Sequence, residues 1–461
     1  NTLGHTGDEK LYAVEWDVTG DNIISAGWSE SHTNGRRTFS FRSWKDGLGT
    51  GNYHAKDAPG MEMWYQSSSL GIKTNNGSLS NVTAPANLNG GISVLTGSLS
   101  ASYQTFFTEE YYDGGTLWDM FIAKVNLDDY QEYRNTEQHK FWDENYPSLP
   151  EYVDSIFTFY QVGTAGTGIA DDGNFFGYDI LQMSGSNKLF VAGQTSGDIG
   201  KTNTGAAGVY DYINAIFDPD TEEFEYYQNG TELDEEVYGC TVLNDGSGSI
   251  AFVGRTAGTL GGVPDPFGSY DIFLGIYNPI SEVTTYFQTG SGFMDRGVNV
   301  HDIGGNKLAI VYETADAIFD TTSKGGMDIG VITFNYSSSQ WLNAYQAGTT
   351  EDENLSQDGK PSYYLAESNR IAIVGTTFGT FSDDGTRYGQ NDMLLAILNL
   401  DDGTWKRYQI GTPANDFATT IFGIGGDRLV LGGYSDASFG MPNNGIFCAF
   451  DATEGIKGKS S

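Results

Sequence analysis

One short element recurs five times at near-constant spacing. It reads Tyr160-Gln161-Val162-Gly163, Tyr227-Gln228-Asn229-Gly230, Phe287-Gln288-Thr289-Gly290, Tyr345-Gln346-Ala347-Gly348 and Tyr408-Gln409-Ile410-Gly411, with glycines 67, 60, 58 and 63 residues apart. A degenerate earlier copy is Tyr65-Gln66-Ser67-Ser68, and Gly7 stands where a still earlier one would end. Repetition at this period means a chain built of like units, none of which buries its faces alone.

Two further markers keep the same phase. A β-rich run ending in Gly appears as Ile24-Ser25-Ala26-Gly27, Val94-Leu95-Thr96-Gly97, Phe190-Val191-Ala192-Gly193, Phe252-Val253-Gly254, Ile373-Val374-Gly375 and Leu431-Gly432-Gly433; Ile310-Val311-Tyr312 takes that place in the fifth unit. An Asp before alternating apolar residues marks the next strand, at Asp119, Asp211, Asp271, Asp328 and Asp392, with Gly445-Ile446-Phe447 in the last unit. Each unit then reads as four short strands: an inner one such as 237–243, a turn like Asn244-Asp245-Gly246, the Gly-ended strand, a third opening at the Asp, and a fourth ending in the aromatic-Gln-x-Gly element. The expected fold is all-β, a seven-bladed β-propeller of four-stranded antiparallel blades closing as a single domain over 1–461. The blades run about 8–68, 69–163, 164–230, 231–290, 291–348, 349–411 and 412–461. The last unit lacks a regular outer strand, which residues 1–7 or 455–461 would supply, protecting an exposed edge.

The run Gly115-Thr116-Leu117-Trp118-Asp119-Met120-Phe121-Ile122-Ala123-Lys124, and next to it Ser269-Tyr270-Asp271-Ile272-Phe273-Leu274, resembles the repeat of a seven-bladed propeller family with Gly-x-x-Asp-x-Phe-x-Ala-Lys-type blades. The resemblance covers most of 164–450. It implies the fold and a secreted or cell-surface setting, with the motif residues as framework. The blade Asp is expected to accept backbone N–H bonds between strands.

Charge narrows the partners. Asp and Glu number 60 against 24 Lys and Arg, a formal net charge of −36, so nucleic acid and anionic membrane surfaces are excluded as partners. No apolar run is long enough to span a membrane as a helix. The chain opens at Asn1 rather than Met and carries no apolar signal region, which fits a leader already removed. Cys240 and Cys448 fall three blades apart, beyond the reach of a disulfide. Sequons at Asn76, Asn81, Asn229, Asn335 and Asn354 are glycosylation candidates, each expected in a turn or loop.

Blades 1 and 2 are enlarged, with insertions expected at about 45–59, 69–90, 99–117 and 128–154. Trp44, Tyr53, Trp64, Trp142 and Tyr146 belong to or flank these segments and are the interaction candidates, since loop aromatics serve interfaces and sugar stacking. The connections between second and third strands are long, as at 195–210, 257–270 and 377–391. They share one face of the ring with Asp234, Asp295, Asp352 and Asp416, which Glu235 and Glu353 adjoin. Those acids are read as solvated turn caps. Ca²⁺ is the one ion they would attract, and no other cofactor is implied.

No catalytic motif emerges. His5, His32, His54, His139 and His301 lack zinc spacing, and Gly246-Ser247-Gly248-Ser249 is not a nucleophile elbow. Gly197-Asp198-Ile199-Gly200-Lys201-Thr202 lacks the first Gly of a phosphate loop. Asp401-Asp402-Gly403-Thr404-Trp405 departs from the Asp-box spacing. The expectation is therefore a non-enzymatic extracellular or cell-surface propeller that contacts other protein subunits or glycans, as part of a coat, appendage or filament. A carbohydrate-binding propeller is one alternative, and a glycan-cleaving hydrolase with two carboxylates at the channel mouth is the other.

Overall fold

The computed structural model describes side chains across 175–199, 208–260, 267–357, 359–423 and 426–436, and at Ile122, Tyr160, Phe450 and Ala452; elsewhere it describes only the backbone of the strands named below. Seven sheets follow one another along the chain. Blade 1 is Glu9–Asp17, Asn22–Ser29, Thr38–Lys45 and Met61–Trp64; blade 2 is Ser93–Leu99, Ser102–Tyr112, Trp118–Asn126 and Phe157–Val162. Blade 3 is Phe175–Gln182, Leu189–Thr195, Asp211–Asp218 and Glu223–Asn229; blade 4 is Glu235–Val242, Ile250–Thr256, Asp271–Asn278 and Val283–Thr289. Blade 5 is Asp295–Asp302, Lys307–Thr314, Asp328–Asn335 and Gln340–Ala347. Blade 6 splits its inner strand into Glu353–Asn354 and Ser362–Leu365, followed by Arg370–Thr377, Asp392–Asn399 and Trp405–Ile410. Blade 7 is Asp416–Gly423, Arg428–Ser435 and Asn444–Asp451, completed by Thr2–Leu3 from the other end of the chain, with Thr2 opposite Ile446. The inner strand of blade 7 packs against that of blade 1, and the ring closes.

The ring exists because the apolar residues lie between blades. One cluster joins Ile122 and Tyr160 of blade 2 to Ile180, Val191 and Phe217 of blade 3. The next joins Phe190 and Tyr212 of blade 3 to Phe252 and Phe273 of blade 4, and three more fill the junctions through to blade 7. A second strand such as Leu189–Thr195 is buried along its whole length, because both its faces meet neighbours. Each fully buried Phe, Ile or Leu in these layers contributes roughly 1.5–3 kcal/mol that no isolated blade could gain.

The Gly-ended second strand has a steric cause. Inner strands carry a β-bulge, as between Gly177 and Asp179, Val237 and Gly239, and Ala418 and Thr420. The bulge turns a backbone carbonyl onto the facing second-strand residue, so a Cβ at Gly193, Gly254 or Gly433 would collide with the carbonyl of Phe176, Glu236 or Phe417. In blade 5 the pattern is inverted. Tyr312 is flanked by Gly297 on one side and Gly330 on the other, and the ring occupies the space that a Cβ on Gly330 would need.

Blade 2 departs from expectation. Val94-Leu95-Thr96-Gly97 lies in the inner strand Ser93–Leu99, not the second, and most of the expected insertion at 99–117 is the eleven-residue second strand Ser102–Tyr112. An apolar run ending in Gly suits either buried strand, and in blade 2 it forms the inner one. Within 69–90, Leu70–Lys73 and Leu79–Val82 form a hairpin that extends the sheet, Leu70–Lys73 lying parallel to Phe157–Val162.

Candidate functional site

The loop-bearing face is held by a lattice of buried side chains that explains the repeat. In blade 6, Gln409 Nε2 donates to Asp392 Oδ2 at 2.7 Å and to the Gly379 carbonyl at 3.1 Å, while its Oε1 accepts the Phe381 N–H at 2.8 Å. Gln288 repeats this with Asp271, Gly258 and Leu260, and Gln228 with Asp211, Gly197 and Ile199. The blade Asp also accepts loop amides, those of Tyr388 and Gly389 on Asp392 and of Phe267 and Gly268 on Asp271. The Gln thus pins the long second-to-third-strand loop to the sheet and to the blade Asp.

The glycine after it separates two acids. A Cβ on Gly290 would lie 2.7 Å from Asp271 Oδ1 and 2.8 Å from Asp295 Oδ2, the first carboxylate from its own blade and the second from the next. Gly230 stands in the same way between Asp211 and Glu235, Gly348 between Asp328 and Glu353, and Gly411 between Asp392 and Asp416. The second acid of each pair caps the turn that leads into its strand. Glu353 takes the Thr349 N–H at 2.6 Å and the Thr349 and Thr377 hydroxyls at 2.8 and 2.7 Å. Burial, more than the adjoining blade Asp, pushes Glu235 and Glu353 up to about 7 against these donors, and raises Asp295 and Asp416 as well.

On this frame the loops expose apolar side chains. Leu233 and Phe293 lie on connections between blades, and Phe267, Phe319 and Tyr388 on second-to-third-strand loops; all five are exposed. Phe267 and Phe293, 53% and 58% exposed, come from facing segments: Gly268 packs on the Phe293 backbone and Ser269 N donates to the Phe293 carbonyl at 3.1 Å. Phe319 holds a positive φ of 55°, a conformation that costs an ordinary side chain free energy.

The axis is fastened from blade 6. Between the two halves of its inner strand the chain leaves the sheet, and Lys360 forms a 3.1 Å ion pair with Asp179 of blade 3, three blades round the ring. Its carbonyl accepts the Ile421 N–H of blade 7 at 2.9 Å. Asp179 accepts the Cys240 and Ile180 amides, and His301 Nε2 lies 2.8 Å from Ser362 Oγ. Burial, then the Lys360 charge, pushes His301 down to about 4, so it is neutral at pH 7. Burial, then Asp179, pushes the Cys240 thiol well up, leaving it protonated and unreactive. Beside this cluster, Arg255 binds Glu236 through two nitrogens at 3.0 and 2.8 Å, Tyr238 donates to Glu236, and Arg296 pairs with Glu313. Two acids, a tyrosine and two arginines form a hydrolase-like set. Here each charge is consumed by a neighbour in its own blade, Glu236, Tyr238, Arg296 and Glu313 are all buried, and Arg296 lies over the Tyr238 ring at 5.5 Å, joining blades 4 and 5.

Of the four candidate acids, two share a position and two do not. Asp295 and Asp416 are buried turn caps; their counterparts in blades 4 and 6 are Glu235 and Glu353, one residue beyond the expected Asp234 and Asp352. Asp234 accepts the Tyr210 N–H at 3.0 Å and the Tyr270 hydroxyl at 3.1 Å, and Asp352 accepts the Met327 N–H at 2.9 Å. The reading as solvated caps is corrected for Asp295 and Asp416, whose carboxylates lie under the turns. Among the described residues no group of three or more His, Cys, Asp or Glu side chains is placed to hold a metal. The signal for the true register was present: a Thr or Ser directly after Gly230, Gly290, Gly348 and Gly411, four residues before the acid.

The sequons are not loop residues throughout. Asn229 and Asn335 end strands, Asn354 lies in Glu353–Asn354 and Asn81 in Leu79–Val82; Asn76 lies outside the described residues. Asn229 turns its amide into a blade junction, donating to Tyr286 Oη at 2.9 Å, whereas Asn335 Oδ1 caps the exposed turn through Ser337 and Ser338. Of the interaction candidates, Trp44 lies in Thr38–Lys45 and Trp64 in Met61–Trp64, both as backbone only; Tyr53, Trp142 and Tyr146 lie outside the described residues. Cys448 is on Asn444–Asp451 as expected, and Cys240 is a free buried thiol.

Known proteins resemble the chain in fold. The propeller domain of the Trilobed protease from Pyrococcus furiosus matches at 12% identity, covering 61% of this chain and 71% of that one, with a TM-score of 0.32. Its own seven sheets, closed into a ring, make the chain a β-propeller. The NanB sialidase of Streptococcus pneumoniae matches this propeller at 10% identity over 99% of it and 71% of the sialidase, TM-score 0.42. The acylaminoacyl peptidase of Pyrococcus horikoshii matches at 10% over 98% of the propeller and 52% of the peptidase, TM-score 0.45. Likenesses this distant carry nothing over to this chain, and the activities of these enzymes remain theirs. No family model matches the propeller, and no curated protein matches its sequence. Among the described residues no helix is long and apolar enough to cross a membrane.

Proposed function

We propose that this propeller is a non-enzymatic extracellular interaction module, a subunit of a surface coat, appendage or filament. It meets its protein partners through the loop-bearing face and the enlarged blades 1 and 2. The observation that carries the reading is the exposure of Phe267 and Phe293 on facing segments, the first pinned to the blade Asp271 and the second to the Ser291–Asp295 cap. Apolar side chains grouped on a surface are covered in use, and segments already rigid lose little entropy when they bind. The charge of −36 suits a hydrated exterior and keeps copies apart until a specific contact forms.

The test places a photoreactive phenylalanine analogue at 267 or 293 in the native material and irradiates it. Crosslinking to a neighbouring polypeptide is the expected result. A face that stays open to water in the native assembly would overturn the reading, and one that holds a glycan instead would transfer it to carbohydrate binding.

A further inference from the structure

We propose that Val283–Thr289, the outer strand of blade 4, pairs edge to edge with the same strand of a second copy of this chain. Outer strands of propellers present an unpaired row of backbone donors and acceptors, and proteins guard such edges with charges, prolines or bulges. Three of the four outer strands described with side chains are guarded. Glu223–Asn229 of blade 3 exposes Glu223 and Glu225, and Trp405–Ile410 of blade 6 carries Lys406 and Arg407. Gln340–Ala347 of blade 5 has no charge but meets a bulge between Ile332 and Phe334, where the Thr333 hydroxyl takes the place of a ladder partner for Asn343.

Blade 4 has none of these guards. Val283-Thr284-Thr285-Tyr286-Phe287-Gln288-Thr289 contains no charge and no proline, and its register with Asp271–Asn278 is unbroken. Among the described residues no strand lies on its outer side. Val283 is 57% exposed, and Ile280, in the turn just before, is 86% exposed. The nearest acid, Glu282, belongs to that turn and not to the strand.

The occupant follows from charge. Two bodies of −36 repel, and they approach most easily where neither presents a carboxylate; a strip that is neutral on one copy is neutral on the other, so a twofold pairing is self-complementary. A cationic partner would instead favour the acid-bearing surfaces. Seven residues of edge make a small interface, so the contact is reversible and gains from repetition within an assembly. The inference rests on the interaction-module reading above.

Sedimentation velocity of the full chain in 0.01 M and in 1 M NaCl tests it, conditions in which the screening length falls from about 30 Å to about 3 Å. The expected result is a monomer at low salt and a reversible dimer at high salt, with association at least about tenfold tighter. Val283→Lys with Thr285→Lys abolishes the dimer although it lowers the net charge from −36 to −34, two lysines adding two positive charges, whereas Glu223→Lys on blade 3 leaves it. Should the double variant lose its far-ultraviolet dichroism, Ile280→Ser in the exposed turn decides by weakening the dimer severalfold. A monomer at both salts, a dimer that weakens with salt, or one indifferent to these substitutions overturns the proposal. Crosslinking at 267 and 293 is read separately, so loss of the rim contact with a loop-face partner retained would sink this inference alone.

Discussion

Replacing Gln409 by Ala removes one side chain and strands three buried groups. The Asp392 carboxylate loses a donor at 2.7 Å, the Gly379 carbonyl loses one at 3.1 Å, and the Phe381 N–H loses its acceptor at 2.8 Å. A bond to a buried charge is worth roughly 2 kcal/mol and each neutral backbone bond roughly 1, a total of about 4 kcal/mol. Unfolding entropy near 2.1 cal/mol/K per residue gives a chain of 461 residues about 1 kcal/mol per degree, so the loss appears as a Tm drop of about 4 °C. Calorimetry measures the shift, and hydrogen exchange at Phe381 reports whether the loop at 378–391 is released. Gln340→Ala, at an exposed position on blade 5, is the control and should move Tm by less than about 0.5 °C. A Gln409→Ala protein with Tm within a degree of the parent and unchanged exchange at Phe381 would refute the anchoring role of the repeat Gln.

The carboxylate pairs make stability pH-dependent. Glu235 and Glu353 sit at about 7 in the fold and near 4.5 when exposed, so the stability they contribute is complete below 4.5 and is lost as pH rises through 7, about 3 kcal/mol each. His301, held at about 4, works in the opposite sense between 4 and 6.5 but is a single group. Tm should therefore fall from pH 5 to pH 8, and Glu235→Gln with Glu353→Gln should flatten that slope; an unchanged slope would remove the assignment. Asn214 is fully buried with neither amide atom bonded, at a position held by Leu274, Val331 and Leu395 in blades 4 to 6. Asn214→Leu should raise stability by about 1–3 kcal/mol, and a lower Tm would contradict it. Lys360→Met leaves the buried Asp179 without its counter-ion and should cost about 2 kcal/mol. A double-mutant cycle with Asp179→Asn should recover most of that, and additive effects would show that the ion pair couples nothing.

The repeat by itself determined the architecture. Markers in fixed order give strand type and blade count, because a four-stranded unit with two apolar faces can bury them only against copies of itself. The markers also located the framework: the blade Asp begins the third strand in blades 3 to 6, and the Gln next to the last residue of each outer strand is an anchor wherever its side chain is described. Sequence failed where two readings share one local pattern. Val94–Gly97 reads equally well as an inner or a second strand, and only its pairing with Ser102–Tyr112 decides. Asp234 and Glu235 are adjacent acids; the spacing of four from Thr231 singles out Glu235, and its burial beneath the Thr231 turn makes it the cap. Contacts across the ring had no sequence signal at all. Lys360 meets Asp179 because closure brings residues 181 positions apart to one axis, and the bare edge of blade 4 matters because no other described strand covers Val283–Thr289 in the ring. Local chemistry sets what each blade is; the topology of the ring sets which side chains meet across it and which edges remain open.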